Sequence, residues 1–272
     1  MTHNANDRQR PPPGDHQKEL LKLFNSLAYR HSAWQVFADF NEAAAISISN
    51  AVDWARREKR EERYMQLIQR YSKEELARFP QMLGELVLAL EDQPGDVLGK
   101  TFHELELHNK WAGQVFSPYP LCQMMAQMTL ADPESVRAKI AERGFICAAE
   151  PAAGSGAMVI ALADAMGKMG INYQQHLHVT TTDIDIKCVH MAYTQLSLLH
   201  IPAVIVHGNS LSLEEHSHWY TPAHIMGGWS GRLKHAFAGE HSVEPMPKSP
   251  PKEAPQSQPE PMAPKPTQLM LF

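Results

Sequence analysis

Apolar residues recur with a helical period along the first third of the chain. Between residues 17 and 90 they return every three or four positions, as in Leu20, Leu23 and Leu27, and this spacing predicts a series of helices. Pro80 is expected to start or to break one of them. More helix is expected from residue 95 to residue 130, with an interruption near Ser117-Pro118.

The period changes after residue 144. Short apolar runs at 145–149, 177–182 and 203–207 predict strands, and the segments 157–169 and 185–199 predict helices. Strands that alternate with helices indicate a parallel sheet with right-handed crossovers. The expected fold is therefore α/β, with a small Rossmann-like parallel sheet that follows a helical region.

Composition divides the chain further. Residues 1–15 are polar and contain three consecutive prolines, so they are predicted to be disordered; residues 16–94 are assigned to a helical domain and residues 95–240 to the α/β domain. Residues 241–272 are dense in proline, lysine, glutamate and glutamine, which predicts a disordered tail. Residues 56–63 alternate Lys or Arg with Glu, a pattern typical of a solvated helix face.

Charge and cysteine content exclude several classes of protein. The formal net charge of −5 opposes strong nonspecific DNA binding by the whole chain, because phosphate contacts need clustered Lys and Arg. Cys122, Cys147 and Cys188 lack metal-like spacing and fit a reducing cytosol better than a disulfide framework. No segment approaches the roughly 20 apolar residues of a membrane span, so we predict a cytoplasmic protein without membrane contact.

Histidine is abundant in this chain. His176 and His178 are predicted to alternate on a strand, and His216 and His218 follow two glutamates. Neither group has the spacing that zinc ligands need, so no metal site is predicted.

The segment 145–157 carries the most informative pattern. An apolar run ends in Glu150-Pro151, a Gly154-Ser155-Gly156 turn follows, and a helical pattern begins at Ala157. A strand, a tight turn and a helix N-terminus let backbone N–H groups approach a nucleotide-like ligand. Taken alone, the two glycines are equally compatible with close packing of the helix on the strand.

Three further blocks accompany this turn, at 113–118, 182–185 and 207–211. In order and spacing the set resembles the adenine-N6 DNA methyltransferases, especially the modification subunits of type I restriction systems. The resemblance covers roughly residues 95–212. It implies an S-adenosylmethionine cofactor, DNA as partner and substrate, and a methyltransferase fold.

The resemblance also implies a role for each matched residue. Gly154 and Gly156 let the backbone approach the cofactor, and Glu150, where the family has aspartate, faces its ammonium group. Asp183 accepts hydrogen bonds from the ribose hydroxyls, with helix capping as its alternative role, and Asn209 contacts the adenine where aspartate is more usual. The other matched positions of the cofactor site are Phe116, Ser117 and Pro118, which close over the methionine end, and Pro151, Ala152, Ser155 and Ile184.

The catalytic block of that family is missing here. The family uses Asn or Asp, then Pro-Pro and an aromatic residue, to accept the N6 hydrogens and to stack on the flipped base. In this chain no Asn or Asp follows Asn209, and Ser249-Pro250-Pro251 precedes Lys252 instead of an aromatic residue. No catalytic residue is therefore assigned.

The sheet is also expected to stop after its cofactor-binding half. The edge of the first strand would then be unpaired, unless residues 226–237 or a partner chain covers it. Trp219 and Tyr220 are interpreted as packing residues and not as a remnant of the catalytic block.

The segment Gln268, Leu269, Met270, Leu271 and Phe272 resembles the pentapeptide that binds the bacterial sliding clamp. The resemblance implies that the glutamine amide binds at the rim of a pocket and that the apolar side chains fill a groove. The alternative is that this segment folds back onto the core of the protein.

Two functions follow. The first is an S-adenosylmethionine-dependent DNA adenine-N6 methyltransferase in which an unrecognised group or a partner chain replaces the missing block. The second is a catalytically degenerate adaptor or regulator that the sliding clamp recruits to DNA. Methylation of a protein or of RNA is a weaker third option.

Overall fold

The structure is a computed structural model and describes residues 15–105 and 116–238. The helices before the sheet are α1 (His16–Leu27), α2 (Ala33–Asn50), a 3₁₀ turn (Trp54–Arg56), α3 (Arg57–Ile68), α4 (Lys73–Leu76), α5 (Arg78–Asp92), α6 (Val97–Glu104), α7 (Tyr119–Thr129) and α8 (Pro133–Arg143). The strands and the helices between and after them are β1 (Ile146–Glu150), α9 (Ala157–Lys168), α10 (Tyr173–His176), β2 (Leu177–Asp183), α11 (Ile186–Leu198), β3 (Ala203–Asn209), β4 (Glu214–Tyr220), α12 (Pro222–Met226) and α13 (Trp229–Ala236). The predicted early helices and the later alternation of strand and helix are both confirmed.

Local sequence signals explain where several helices begin. Asp15, which the composition assigned to a disordered leader, caps α1 by accepting a hydrogen bond from the Lys18 N–H at 3.1 Å. Ser32 caps α2 through the Gln35 N–H, also at 3.1 Å. Pro80 lies in the first turn of α5, where its missing N–H has no helical acceptor to lose, so its expected role at a helix start is confirmed.

The strands form one open sheet in the order β1-β2-β3-β4. β1, β2 and β3 are parallel, as predicted, whereas β4 runs antiparallel to β3 with a bulge between His207 and Gly208. The sequence analysis missed β4. This strand lies at the edge of the sheet, and its first three residues, Glu214, Glu215 and His216, are exposed, so it lacks the apolar alternation of a half-buried strand.

One face of the sheet is covered by helices that connect it to the N-terminal part of the chain. α11 packs against β2 and β3, and α2 packs against α11. The apolar core therefore runs continuously from Phe37 and Phe40 on α2 through Tyr193 and Leu196 on α11 to Ile205 on β3. The described residues up to Ala236 form one compact unit. The boundary predicted between residues 94 and 95 stays a prediction.

The other face of the sheet is covered near the amino end of β1. The buried Trp229 of α13 packs edge-on against Phe145 at 5.1 Å between ring centroids, and it also contacts His178 on β2. β1 is the strand at one edge of the four-stranded sheet. Its residues Cys147 and Ala149 are exposed. A partner chain that completes the sheet therefore stays a prediction.

The segment 56–63 is mostly exposed, as predicted, and Arg60 is its exception. Arg60 is buried: its guanidinium donates to Asp53 Oδ2 at 3.0 Å and to the His218 carbonyl at 3.0 Å, and it lies 3.9 Å from the Trp219 ring. The strand predicted for His176 is wrong. His176 is not on a strand, because it ends α10 and its Nδ1 lies 2.8 Å from the Gly144 carbonyl oxygen. Contacts between distant parts of the chain placed both residues.

Within residues 15–105 and 116–238, no helix has both the length and the apolar character needed to cross a membrane. The predicted disordered segments 1–14 and 241–272, which include the pentapeptide Gln268–Phe272, lie outside the described residues.

Candidate functional site at the carboxyl edge of the sheet

The predicted polar residues meet where the three parallel strands end. Glu150 ends β1, Asp183 ends β2 and Asn209 ends β3. Glu150 pairs with Thr181, and Asp183 pairs with His207. β2 therefore extends two residues beyond the end of β1, and β3 extends two residues beyond the end of β2. Parallel strands place their carboxyl ends at one edge, which is where ligands bind in open α/β sheets.

A tight loop follows β1 at this edge. Gly154 and Gly156 adopt positive φ values of +53° and +91°, which side chains disfavour. The loop is held by the Ala153 N–H, which donates to the Thr182 carbonyl at 2.8 Å. A Cβ on Gly156 would lie 3.3 Å from the Ala192 Cα, so this glycine also allows α11 to approach. Close packing, one of the two roles considered for the glycines, is therefore confirmed for Gly156, and the approach of a ligand to the loop stays a prediction.

Asp183 faces this glycine loop. Its carboxylate accepts hydrogen bonds from the N–H groups of Gly154 and Asp185, each at 2.8 Å. Burial raises the pKa of the Asp183 carboxyl, and these two hydrogen bonds oppose that rise. The alternative role of Asp183 as a helix cap is wrong, because Asp185 caps α11 by accepting from the Lys187 N–H at 2.9 Å.

Glu150 and Asn209 organise the turns that follow their strands. Glu150 Oε1 accepts from the Ala152 N–H at 3.0 Å, next to the exposed Pro151. Asn209 Oδ1 accepts from the N–H groups of Leu211 and Ser212 at 2.9 and 3.3 Å. Both side chains therefore lie at the carboxyl edge and are oriented by the backbone.

An apolar side chain is exposed directly beside Asp183. Ile184 is 64% exposed although it follows a buried strand. His207 lies near it on β3, at the position that pairs with Asp183 in the sheet. Burial and the neighbouring His216 lower the pKa of His207. The sequence analysis assigned no role to His207. Only its position two residues before Asn209 could have indicated that it lies near the candidate site.

Phe116 brings the upstream block to the glycine loop. Its buried ring lies 3.2 Å from the position that a Cβ on Gly154 would take, and it packs edge-on against Phe102 at 4.9 Å. Ser117 and Pro118 lead into α7 and line a cavity of about 500 Å³ next to Asp96. Residues 113–115 of this block lie outside the described part of the chain.

Ser155, a matched position of the predicted cofactor site, is buried. Its hydroxyl donates to Asp96 Oδ2 at 2.6 Å. Asp96, at the start of α6, was not among the predicted site residues, because 59 positions separate it from Ser155.

The aromatic residues after β3 contribute to packing, as interpreted from the sequence. Trp219 is buried against His190 and Tyr193, at 4.9 and 5.3 Å between ring centroids. Tyr220 lies beneath the Arg56 guanidinium at 4.9 Å. Among the residues that the structure describes, no three His, Cys, Asp or Glu side chains converge as a metal site would need.

The fold and this edge define an α/β protein with an open, mostly parallel four-stranded sheet and a glycine loop at the carboxyl ends of its strands. No protein-family model, no curated protein and no solved structure matches the chain.

Proposed function

We propose that this chain is an S-adenosylmethionine-binding protein of the DNA adenine-N6 methyltransferase type that retains the cofactor half of the fold. The observation that carries the proposal is the buried Asp183 carboxylate at the end of β2, 2.8 Å from the N–H of a left-handed glycine turn. Nucleoside cofactors are commonly held by an acidic residue and a glycine turn at the carboxyl ends of neighbouring parallel strands.

The donors and acceptors at this edge fit the parts of the cofactor. A carboxylate has about four acceptor positions, and the two backbone N–H groups on Asp183 leave acceptor capacity for a ribose diol. The exposed Ile184 offers an apolar surface for an adenine ring. Glu150 supplies a negative charge for the ammonium group of the cofactor. The Phe116 ring packs against Gly154 of the glycine loop.

S-adenosylmethionine, when bound, supplies an electrophilic methyl group. The residues of this chain then bind and orient it. Asp183 would bind the nucleoside through its remaining acceptor positions. Asn209, whose Oδ1 already accepts two backbone N–H groups, would bind it through its amide NH2 group. The glycine loop would present backbone to the methionine end. Phe116 excludes water from the loop, which strengthens the electrostatic contacts there.

Calorimetric titration of S-adenosylmethionine into the purified protein tests this proposal. We expect Asp183→Ala to weaken binding by about tenfold or more, since a charge-assisted hydrogen bond contributes about 1.5–3 kcal/mol. Asp132→Ala is the control, because it also removes an aspartate that accepts a backbone N–H group, but this group is at the cap of α8 and not in the glycine loop. Absence of binding by the wild type, or equal binding by Asp183→Ala, would overturn the proposal.

A second candidate function is a non-catalytic adaptor. After Asn209 the chain turns back into the antiparallel strand β4. The aromatic residues at the end of this strand, Trp219 and Tyr220, are used in packing. Neither Asn nor Asp, the residues that this type of methyltransferase uses to accept the N6 hydrogens, follows Asn209 in the sequence.

Incubation with labelled cofactor and DNA separates the two candidates. Methyl incorporation that Asp183→Ala abolishes supports the enzyme. Cofactor binding without incorporation, alone or with the sliding clamp, supports the adaptor. The adaptor also predicts that the clamp binds the full chain and that deletion of residues 268–272 abolishes binding; binding that survives this deletion would exclude the clamp role of that segment.

A further inference from the structure

A buried polar network joins the glycine loop to two distant helices. The Ser155 hydroxyl donates to Asp96 Oδ2 at 2.6 Å. The Gln195 amide nitrogen donates to Asp96 Oδ1 at 3.0 Å and to the Ser155 carbonyl at 2.8 Å. Ser155 and Gln195 are 1% and 0% exposed and Asp96 is half-buried, so the hydrogen bond between Ser155 and Gln195 forms away from solvent and the two to Asp96 are partly shielded from it. Asp96 therefore contacts the loop both directly and through Gln195.

The network is satisfied at its other end by α6. Gln195 Oε1 accepts from the Leu98 N–H at 2.9 Å, and Asp96 Oδ1 accepts from the Gly99 N–H at 2.9 Å. A Cβ on Gly99 would lie 2.0 Å from Asp96 Oδ2, so only glycine leaves room for this orientation of the carboxylate. Each polar group of the network thus has a partner, and a buried network of this kind is rigid.

Capping alone does not require this arrangement. One carboxylate oxygen is sufficient to cap α6 through Gly99, whereas the second oxygen accepts the hydroxyl of a residue 59 positions away. Gln195 adds a link to the backbone of the same loop residue, Ser155. The extra contacts converge on the residue between the two left-handed glycines, Gly154 and Gly156.

We propose that Asp96 is a positioning residue for cofactor binding. Through Ser155 and Gln195 it holds the glycine loop in the conformation that presents its backbone to S-adenosylmethionine. The inference rests on the proposed cofactor function. A loop that is fixed before binding loses less conformational freedom when the ligand arrives, and this raises the affinity without a direct contact.

A double-mutant cycle tests the link. Asp96→Ser keeps an acceptor for the Gly99 N–H, since serine caps helices well, but it has no second oxygen to accept from the Ser155 hydroxyl. Ser155→Ala removes one hydroxyl. We expect each single variant to weaken S-adenosylmethionine binding about fivefold to tenfold. The double variant should bind as tightly as the weaker-binding of the two single variants, because both substitutions break the same hydrogen bond. Asp15→Asn, at the cap of α1, is the control and should bind like the wild type.

Amide hydrogen exchange of the ligand-free protein provides a readout that does not depend on the cofactor. The N–H groups of Gly154 and Gly156 donate to Asp183 and to the Ala153 carbonyl, each at 2.8 Å, and we expect both to exchange about tenfold faster in Ser155→Ala. Amides in the middle of α9 should keep the wild-type rate, which shows that the variant is folded.

The outcomes separate this inference from the function on which it rests. If the wild type binds no S-adenosylmethionine but the loop amides accelerate in Ser155→Ala, the proposed function fails and Asp96 keeps a structural role only. If the wild type binds and both single variants bind equally well, the positioning role is overturned. Fully additive losses in the double variant would also overturn it, since they would show that Asp96 and Ser155 act independently.

Discussion

Two buried polar clusters stabilise opposite parts of the sheet, and they differ in what surrounds them. The loop cluster (Asp96, Ser155, Asp183 and Gln195) lies at the carboxyl edge and binds backbone N–H and C=O groups of a glycine turn. The histidine cluster (His178, His224 and Ser230) joins β2 to α12 and α13. Its two hydrogen bonds run from side chain to side chain.

The histidine cluster is enclosed by aromatic residues. His178 Nε2 lies 2.9 Å from His224 Nδ1, and His224 Nε2 lies 2.9 Å from Ser230 Oγ. Trp229 packs on His178 from one side, with the Arg232 guanidinium 3.7 Å from the Trp229 ring. A contact between two imidazoles at this distance needs one donor and one acceptor, so the accepting ring is neutral and the two rings cannot both be protonated.

The difference shows how similar polar groups serve different purposes. The loop cluster orients a turn beside an exposed apolar residue, Ile184, so it leaves a surface for a ligand. The histidine cluster fills space between β2 and the last helices, so it contributes to stability. Changes in the loop cluster should therefore affect binding, and changes around the histidine cluster should affect the free energy of unfolding.

The largest effect on stability is expected for Trp229→Ala. This side chain is 1% exposed and packs on Phe145 and His178, so its removal should leave a cavity and cost about 3–5 kcal/mol. Urea unfolding followed by circular dichroism measures the change. S-adenosylmethionine affinity of the folded fraction should stay at the wild-type value; a large loss of affinity would break the proposed division between the two clusters.

The pH dependence of stability sharpens the comparison next. Burial lowers the pKa of His178 and of His224 to about 4, with a further contribution to His178 from His224 and Arg232. The unfolded chain, with ordinary histidine pKa values, binds protons more readily, so stability is complete above about pH 6.5 and falls between about pH 6.5 and 4. The loss reaches up to about 3 kcal/mol for one independent histidine.

Thermal unfolding at a series of pH values measures this dependence. The buried His190, whose pKa is also lowered to about 4, adds a dependence of the same sign. We expect His224→Gln to flatten the curve in part, and His235→Gln, at an exposed position of α13, to leave it unchanged. A curve that is equally steep in both variants would contradict the assignment.

The glycine loop permits a matched pair of substitutions. Gly156 and Gly170 both have positive φ, but a Cβ on Gly156 would meet the Ala192 Cα at 3.3 Å, whereas a Cβ on Gly170 would meet nothing within 4 Å. Gly170→Ala should cost about 1 kcal/mol from backbone strain, and Gly156→Ala about 2 kcal/mol. Only Gly156→Ala should also weaken cofactor binding. Equal effects of the two substitutions on affinity would show that the loop has no special role.

The smallest effect on stability is expected for Ile184→Ala. Because Ile184 is 64% exposed, the free energy of unfolding should change by less than about 0.5 kcal/mol. The affinity for S-adenosylmethionine should fall about fivefold, since burial of the side chain against an adenine contributes about 1 kcal/mol. Met226→Ala, at an exposed apolar position of α12, is the control. An unchanged affinity of Ile184→Ala would show that the adenine does not bind against Ile184.

Short-range patterns determined much of the architecture. Helical periodicity gave the early helices, and the β-branched runs gave β1, β2 and β3 to within two residues of their observed ends. The Gly154-Ser155-Gly156 turn was predictable because a left-handed backbone favours glycine at a position that the local sequence already marks. Each of these features depends on neighbours only a few residues apart.

Other features were decided by tertiary structure alone. β4 is a strand because it pairs with β3, although its own residues are charged and exposed. Arg60 is buried because Asp53 and the His218 carbonyl, 158 positions away, accept its hydrogen bonds. Strand register and helix packing set such contacts, and neither is encoded in a local period.

The candidate site combines both kinds of information. The sequence by itself supplied Glu150, Asp183, Asn209 and the glycine turn, because these residues match blocks that resemble the adenine-N6 methyltransferases in order and spacing. Only the folded chain showed that Asp183 faces the Gly154 N–H and that Asp96 holds Ser155. The physical reason is that a hydrogen bond depends on distances of a few tenths of an ångström, and packing across the whole core sets those distances.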